Sequence, residues 1–304
     1  MIFLTGVTGY IGQRIAHRLL RAGRRVRGLV PPGEAFPAGL ADVEFVRGDL
    51  LVPESLASLG AGVTAVVHSA AAMLPNPAEK IRTVNVGGTR NLLAAARGWG
   101  GVSRFVYLSA VSAAYTVKNC YGESKMEAER LIAASGLPWV VLRPTMVYGE
   151  GGGLHFARLV ELVRKAPGFF PVFGPGIAKL QPVHVQDVAE SVELALSNPA
   201  ALGKIWGVAG ATVVTFDDLV RRVGAGLGIR RRLVHVPLPL AMGVARAAVR
   251  VSPTFFLTPE ALIGLNQDAD LDYRPFEAAC GYSPRPLDEG LAAEFGRPVT
   301  LPAA

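Results

Sequence analysis

The chain is poor in the residues that build covalent or metal-bound scaffolds. Its 304 residues include two cysteines, Cys120 and Cys280, far apart and at no metal-ligand spacing. That excludes a disulfide framework and a thiolate cage, and it fits a reducing, cytoplasmic compartment. Charge is also sparse. Only 18% of residues are charged, and no block of five or six like charges occurs. Nor do basic and aromatic residues interleave as in a base-stacking platform, so nucleic acid is not an expected partner. No uninterrupted apolar run reaches membrane-spanning length. The nearest, Leu233 to Leu257, is broken by prolines and by Arg246 and Arg250. No charged leader or cleavage site precedes the first apolar segment, so no export signal is expected.

What is present is a hydrophobic half of the chain and a net charge of +7, from 31 basic and 24 acidic residues. The length supports one large or two modest domains. The basic excess, largely arginine scattered over helices, is read as solubility charge plus attraction for a phosphorylated ligand.

The first dozen residues carry the leading signal. Ile2 to Thr5 reads as a short buried strand. Gly6, Gly9 and Gly12 follow at three-residue spacing. A helix then shows Ile11, Ile15, Leu19 and Leu20 on one side and Arg14, Arg18 and Arg21 on the other. Strand, glycine turn and helix together form a dinucleotide cradle. The glycines admit a pyrophosphate close to the backbone, and the helix N-terminus supplies free N–H groups.

Strands and helices then alternate through about residue 145: strands at 26–30, 43–46, 64–68, 104–108 and 139–142, and helices at 53–59, 81–97 and 121–135. The pattern predicts an α/β fold, a doubly wound parallel Rossmann-type sheet over residues 1–150. After Gly151-Gly152-Gly153 the rhythm changes. Residues 151–304 read as a smaller α/β lobe, parts of which return to the sheet. A Pro/Gly-rich stretch runs through Phe169, Phe170 and Phe173, a strand covers 181–185, and Pro237 to Val251 reads as a helix.

The second chemical signal is Tyr121-Gly-Glu-Ser-Lys125. Tyr and Lys four apart share one helix face. A phenol ionises near pH 10. A neighbouring ammonium favours the phenolate and suits the tyrosine to proton exchange with a substrate hydroxyl.

With these residues in place the chain resembles the extended short-chain dehydrogenase/reductases, the NAD-dependent epimerase/dehydratase family. The resemblance spans nearly the whole chain. It rests on Thr5-Gly-Val-Thr-Gly-Tyr-Ile-Gly12, Gly48-Asp49-Leu50, Val67-His-Ser-Ala-Ala71, Asn85-Val-Gly-Gly-Thr-Arg-Asn-Leu-Leu93, the Tyr121/Lys125 pair and Leu142-Arg-Pro-Thr-Met-Val-Tyr-Gly149. Val183-His-Val-Gln-Asp-Val-Ala189 and Gly281-Tyr-Ser-Pro-Arg-Pro-Leu-Asp-Glu-Gly290 extend it. It implies an NAD(P) site made of Gly6, Thr8, Gly9, Tyr10, Ile11 and Gly12 at the pyrophosphate, and Asp49 and Leu50 at the adenine. Ser69, Ala70, Ala71 and Asn85 lie beside the phosphates, and Pro144 and Lys125 at the nicotinamide end. It implies Tyr121 as acid/base, Lys125 as the group that holds the ribose and lowers the phenol pKa, and Ser109 or Ser112 as the hydroxyl that polarises a carbonyl. His184 and Asp187 are structural under the same resemblance.

Two departures bear on function. Where many members carry a hydroxyl pair, this chain reads Ser109-Ala110. That resembles the branch containing the nucleotide-binding accessory subunit of respiratory complex I, whose dinucleotide is structural. The end of the second strand also lacks the acid that receives the 2′-OH of NAD. With Arg27 and Arg14 nearby, the expectation leans to NADP. The sequence thus predicts an NAD(P)-dependent oxidoreductase or epimerase of a small molecule bearing a secondary hydroxyl or ketone. The alternative is a dinucleotide-binding accessory or redox-sensing protein of a larger assembly. A peripheral membrane contact through Leu233 to Leu257 is a third, weaker expectation.

Overall fold

The structure, a computed structural model, describes residues 1–251 and 258–299. The end of the Leu233–Leu257 stretch and the terminal Pro/Ala tail lie outside the described residues. Six parallel strands come from the first half of the chain: β1 (Ile2–Thr5), β2 (Val26–Val30), β3 (Glu44–Arg47), β4 (Ala65–His68), β5 (Arg104–Leu108) and β6 (Trp139–Pro144). Later in the chain, β7 (Phe169–Phe173) and β9 (Arg232–Val236) form a separate parallel ribbon. Between them in sequence, β8 (Lys204–Val208) returns to pair with β6. The central seven-stranded sheet runs β8-β6-β5-β4-β1-β2-β3. Strand order reverses between β1 and β4, and a crevice opens at the carboxyl ends of such a pair.

The inner strands of the sheet are buried on both faces, which suits their apolar sequences, whereas the edge strands β3 and β8 are partly exposed. On one face lie α1 (Tyr10–Arg21) and, from the second half of the chain, Val185–Ser197. Ile15, Ala16 and Leu19 pack there with Val188, Val192 and Leu4. Outside that contact Arg18 reaches Glu193 at 2.5 Å. On the other face lie α2 (Thr89–Gly98) and α3 (Cys120–Ala133), where Leu92, Ala128 and Ile132 meet Phe3, Val66 and Phe105. The helix Val185–Ser197 is α4.

The apolar period from residue 81 to 97 predicts one helix. The structure divides it into Ala78–Arg82, a π-turn at Thr83–Gly88, and α2. The Asn85 side chain is drawn out to the Ala72 backbone, and Thr89 Oγ1 donates to the Asn85 carbonyl at 2.6 Å. Both contacts favour a widened turn over regular i→i−4 pairing. The predicted strand at 181–185 shrinks to Val183–His184, because His184 Nδ1 accepts from Gln186 N and starts α4.

The second lobe has its own core. Tyr148, Phe156, Phe170, Val172, Leu219 and Leu291 meet there. Phe156 and Phe170 are therefore core residues of this lobe. α5 (Leu238–Val251) follows β9 and packs on α6 (Pro259–Leu265) through Ala241, Ala245 and Leu262. No helix among the described residues is long and apolar enough to cross a membrane.

Candidate active site

At the switch point the glycine turn touches the turn after β4. Gly6 has φ +73°, and a side chain there would put its Cβ 2.7 Å from the Ala70 nitrogen and 2.9 Å from the Ser69 carbonyl carbon. A Cβ on Gly12 would lie 1.9 Å from the Gly6 carbonyl oxygen, and one on Gly9 at 3.3 Å. These positions take glycine because backbone meets backbone. Gly9 caps α1 without a side-chain acceptor, and the first turn holds no acid. The amides of Tyr10, Ile11 and Gly12 are thus left for an anion. Thr8 turns the chain and accepts on its carbonyl from Gln13 Nε2 at 3.0 Å. The Tyr10 hydroxyl is buried without a partner, while Arg14 donates to the Glu150 carbonyl at 2.9 Å. A cradle that a Cβ would fill, above an uncapped helix start, fits a dinucleotide pyrophosphate.

A one-way hydrogen-bond relay holds this corner. The Ala70 amide donates to Thr5 Oγ1 (3.2 Å), which sits 2.7 Å from His68 Nδ1. His68 Nε2 lies 2.9 Å from Thr89 Oγ1, whose proton is committed to the Asn85 carbonyl. Only one direction satisfies every group: His68 is neutral, protonated on Nε2, and accepts from Thr5 on Nδ1. Burial, with Lys125 nearby, pushes its pKa down to about 3. Asn85 binds both Ala72 backbone groups, and its amide also donates to Ser124 Oγ at 2.9 Å. It ties the β4 turn, which carries Ser69, Ala70 and Ala71, to the helix of Lys125.

At the far end Asp49 Oδ1 accepts from the Leu51 amide (2.8 Å), and Leu50 is buried beneath Gly88. The two cations expected at a 2′-phosphate are engaged elsewhere. Arg27, the second residue of β2, binds Glu44 and the Leu59 and Ala61 carbonyls at 2.7–2.9 Å. Arg14 is held at Glu150. The cation beside the loop after β2 is instead Arg47, which donates to the Pro31 and Glu34 carbonyls and lies 4.2 Å over Phe36.

Tyr121 and Lys125 lie one turn apart on α3. Lys125 is 1% exposed; its Nζ donates to the Leu108 carbonyl at the end of β5 (2.5 Å) and sits 4.3 Å over the Tyr107 ring. Burial lowers its pKa to about 7, opposed by the Glu129 carboxylate one turn further on. Burial raises the Tyr121 phenol to about 12. Desolvation is what moves the phenol here, and it keeps Tyr121 neutral at pH 7.

Ser109 is one of the two hydroxyls named for the carbonyl. Its hydroxyl donates to Glu129 at 2.5 Å, and Arg143 clamps the same carboxylate at 2.6 and 2.9 Å. Ser112, on the short turn Val111–Ala113, has a buried hydroxyl without a partner, and its carbonyl packs against Gly122. Pro144 is buried at the end of β6. Among the described residues no cluster of side chains could hold a metal.

The sequence profile of the NAD dependent epimerase/dehydratase family matches residues 2–209. The chain belongs to this family. Ceramide reductase of Caulobacter vibrioides is 28% identical over 97% of this chain and 90% of its own length. The 2-alkyl-3-oxoalkanoate reductase of Stenotrophomonas maltophilia is 27% identical over 85% of each chain. Among solved structures, a Thermus thermophilus UDP-glucose 4-epimerase complex with NAD superposes with a TM-score of 0.74, at 25% identity and 97% coverage of both chains. This epimerase/dehydratase member is thus an NAD-dependent oxidoreductase or epimerase by kinship, and likeness to a respiratory accessory subunit finds no support there.

Two motifs of the family member's second half meet physically. Asp187, 2% exposed in its side chain, receives the Arg285 guanidinium at 2.7 and 2.9 Å and the Arg285 amide at 3.1 Å. His184 caps α4, and burial and Arg285 lower its pKa to about 4. His184 and Asp187 therefore hold the lobe. Gln181 is likewise used internally, on Gly210 and Leu271. Sequence reasoning missed Glu129 and Arg143 as site builders, whereas His68, at a strand end facing the cofactor turn, was read as packing or backbone support. The one legible trace was Glu129, four residues after Lys125 on the same helix face.

Proposed function

We propose that the protein reduces a ketone to a secondary alcohol, with Tyr121 as the proton donor. The observation that carries this reading is the Tyr121/Lys125 pair on one face of α3, with Lys125 Nζ anchored at the end of β5. A phenol held near pH 12 is an acid at neutral pH, so it suits reduction better than alcohol oxidation. A bound NAD(P)H supplies the hydride. Tyr121 donates its proton to the carbonyl oxygen, and the Lys125 ammonium stabilises the phenolate left behind. Of the two candidate hydroxyls, Ser109 and Ser112, Ser112 is the donor that orients the carbonyl, because its hydroxyl is buried and unpartnered. Both curated relatives described above are reductases by name, which supports the direction.

For the cofactor, the family supports NAD. A preference for the phosphorylated form would rest on Arg47 rather than on Arg27 or Arg14. Arg47→Ala is then expected to weaken NADPH more than NADH in fluorescence titrations; equal weakening would remove that role.

The test is a panel of ketones offered with NADH or NADPH deuterated at the transferable position. Deuterium on the product carbinol carbon is expected. Tight dinucleotide binding with no transfer to any ketone would favour the non-catalytic alternative.

A further inference from the structure

We propose that the outer face of α5 docks the protein on an anionic lipid bilayer. The helix is amphipathic in an inverted sense. One side, with Ala241 and Ala245, is buried against Leu262 of α6. The adjoining side, about 100° round the helix, is open and apolar: Leu240 is 61% exposed and Val244 57%, and Ala247, next along that stripe, is exposed as well. Val234, on the strand that leads into the helix, is 40% exposed. Large apolar side chains exposed singly are ordinary, whereas a helical stripe of them is not.

Charge selects the occupant. Residues 228–251 contain Arg230, Arg231, Arg232, Arg246 and Arg250 and no Asp or Glu. At about 100° per residue, Arg250 borders the Leu240–Val244–Ala247 stripe on one side, and Arg246 lies further round the helix beyond it. Both are exposed, and no carboxylate among the described residues pairs with either. An apolar stripe bordered by long cations is the pattern of an interfacial helix. The stripe enters the acyl boundary and the guanidinium groups meet lipid phosphates. A soluble protein partner would need matching acids, whereas an anionic bilayer supplies charge and apolar depth together. α5 has 14 residues, enough to lie on a bilayer but too few to cross it.

The position of α5 gives the contact a use. α6 borders a cleft whose other wall is Tyr115, Val117 and Asn119, the loop that leads into Tyr121. Gln267, just past α6, exchanges two hydrogen bonds with the Val117 backbone. Docking through α5 would therefore hold α6, and the loop bonded to Gln267, close to the lipid surface. The docking itself does not depend on the hydride chemistry proposed above.

The experiment is co-sedimentation of the full chain with vesicles of phosphatidylcholine alone and of phosphatidylcholine mixed with phosphatidylglycerol. Wild type is expected to pellet with the mixed vesicles at low salt, at least tenfold more than with neutral ones. Leu240→Glu/Val244→Glu and Arg246→Glu/Arg250→Glu should each stay in the supernatant, with unchanged circular dichroism and NAD binding. Wild type that remains in the supernatant with anionic vesicles would overturn the proposal, as would charge-reversed variants that pellet equally. Sedimentation velocity serves as the second reading. A wild-type dimer that Leu240→Glu/Val244→Glu turns into monomer, without vesicle binding, would assign the face to self-association instead.

Discussion

At the scale of single residues, the site is an arrangement of buried ionisable groups whose neighbours decide their protonation. Tyr121, Lys125 and Glu129 follow one another at four-residue intervals on α3, and Ser109 and Arg143 fix the Glu129 carboxylate. Lys125, held near pH 7, loses its charge as the pH rises above 7, and with it the partner of a developing phenolate. The catalytic efficiency of ketone reduction should therefore fall above about pH 7. Removing the Glu129 charge should move that inflection to lower pH, because the carboxylate opposes the desolvation of Lys125. The pH profile of Glu129→Gln checks this; an unmoved inflection would make Glu129 purely structural. His68 gives a second pH effect. It is neutral in the fold with a pKa of about 3, against about 6.5 when unfolded. The unfolded chain then binds the extra proton between those values, so stability from this group is present above pH 6.5 and lost as the pH falls towards 3. Urea unfolding at pH 7 and pH 4.5 should show a smaller acid loss in His68→Asn than in wild type. Tyr121 and Lys125 were legible from spacing, but the commitment of Ser109 to Glu129 was not. Nothing in a linear sequence tells which of two nearby hydroxyls faces a carboxylate twenty residues on.

At the scale of elements, the glycine turn is where local sequence and tertiary contact agree most closely. The spacing of Gly6, Gly9 and Gly12 predicted a strand–turn–helix, and the structure adds what each glycine avoids. Gly12→Ala would drive a methyl group into the Gly6 carbonyl, at the top of the range of about 1–3 kcal/mol that overpacking costs. Thermal unfolding should show a fall of several degrees, and titration should show lost dinucleotide affinity. A variant that kept both would mean the turn relaxes freely. Elements whose period comes from their own side chains, such as α1 and α3, were readable. Those made by distant partners were not. The π-turn at Thr83–Gly88 exists because Asn85 reaches back to Ala72. The ribbon of β7 and β9 pairs segments about sixty residues apart, one of them rich in proline and glycine, the other in arginine.

At the scale of the whole molecule, the parallel sheet was readable from the alternation, whereas the joining of the two halves was not. β8 returns to the sheet beside β6, and α4 covers the same face as α1. The Asp187–Arg285 pair then fastens the Gly281–Gly290 segment to that helix. Asp187→Ala would strand the partly buried guanidinium and the Arg285 amide. Loss of the buried partner of such a half-exposed pair costs about 1–3 kcal/mol, measurable as a shifted denaturant midpoint. The fold as a whole sets a dinucleotide cradle at β1 and β4 against a phenol and an ammonium beyond β5. The central claim is that this phenol delivers a proton during hydride transfer. The most direct test compares NADH oxidation by wild type and Tyr121→Phe with a ketone the wild type accepts, alongside NADH affinity measured separately. The account predicts unchanged affinity and turnover reduced by about a hundredfold or more. A Tyr121→Phe protein that turns over at the wild-type rate would contradict it.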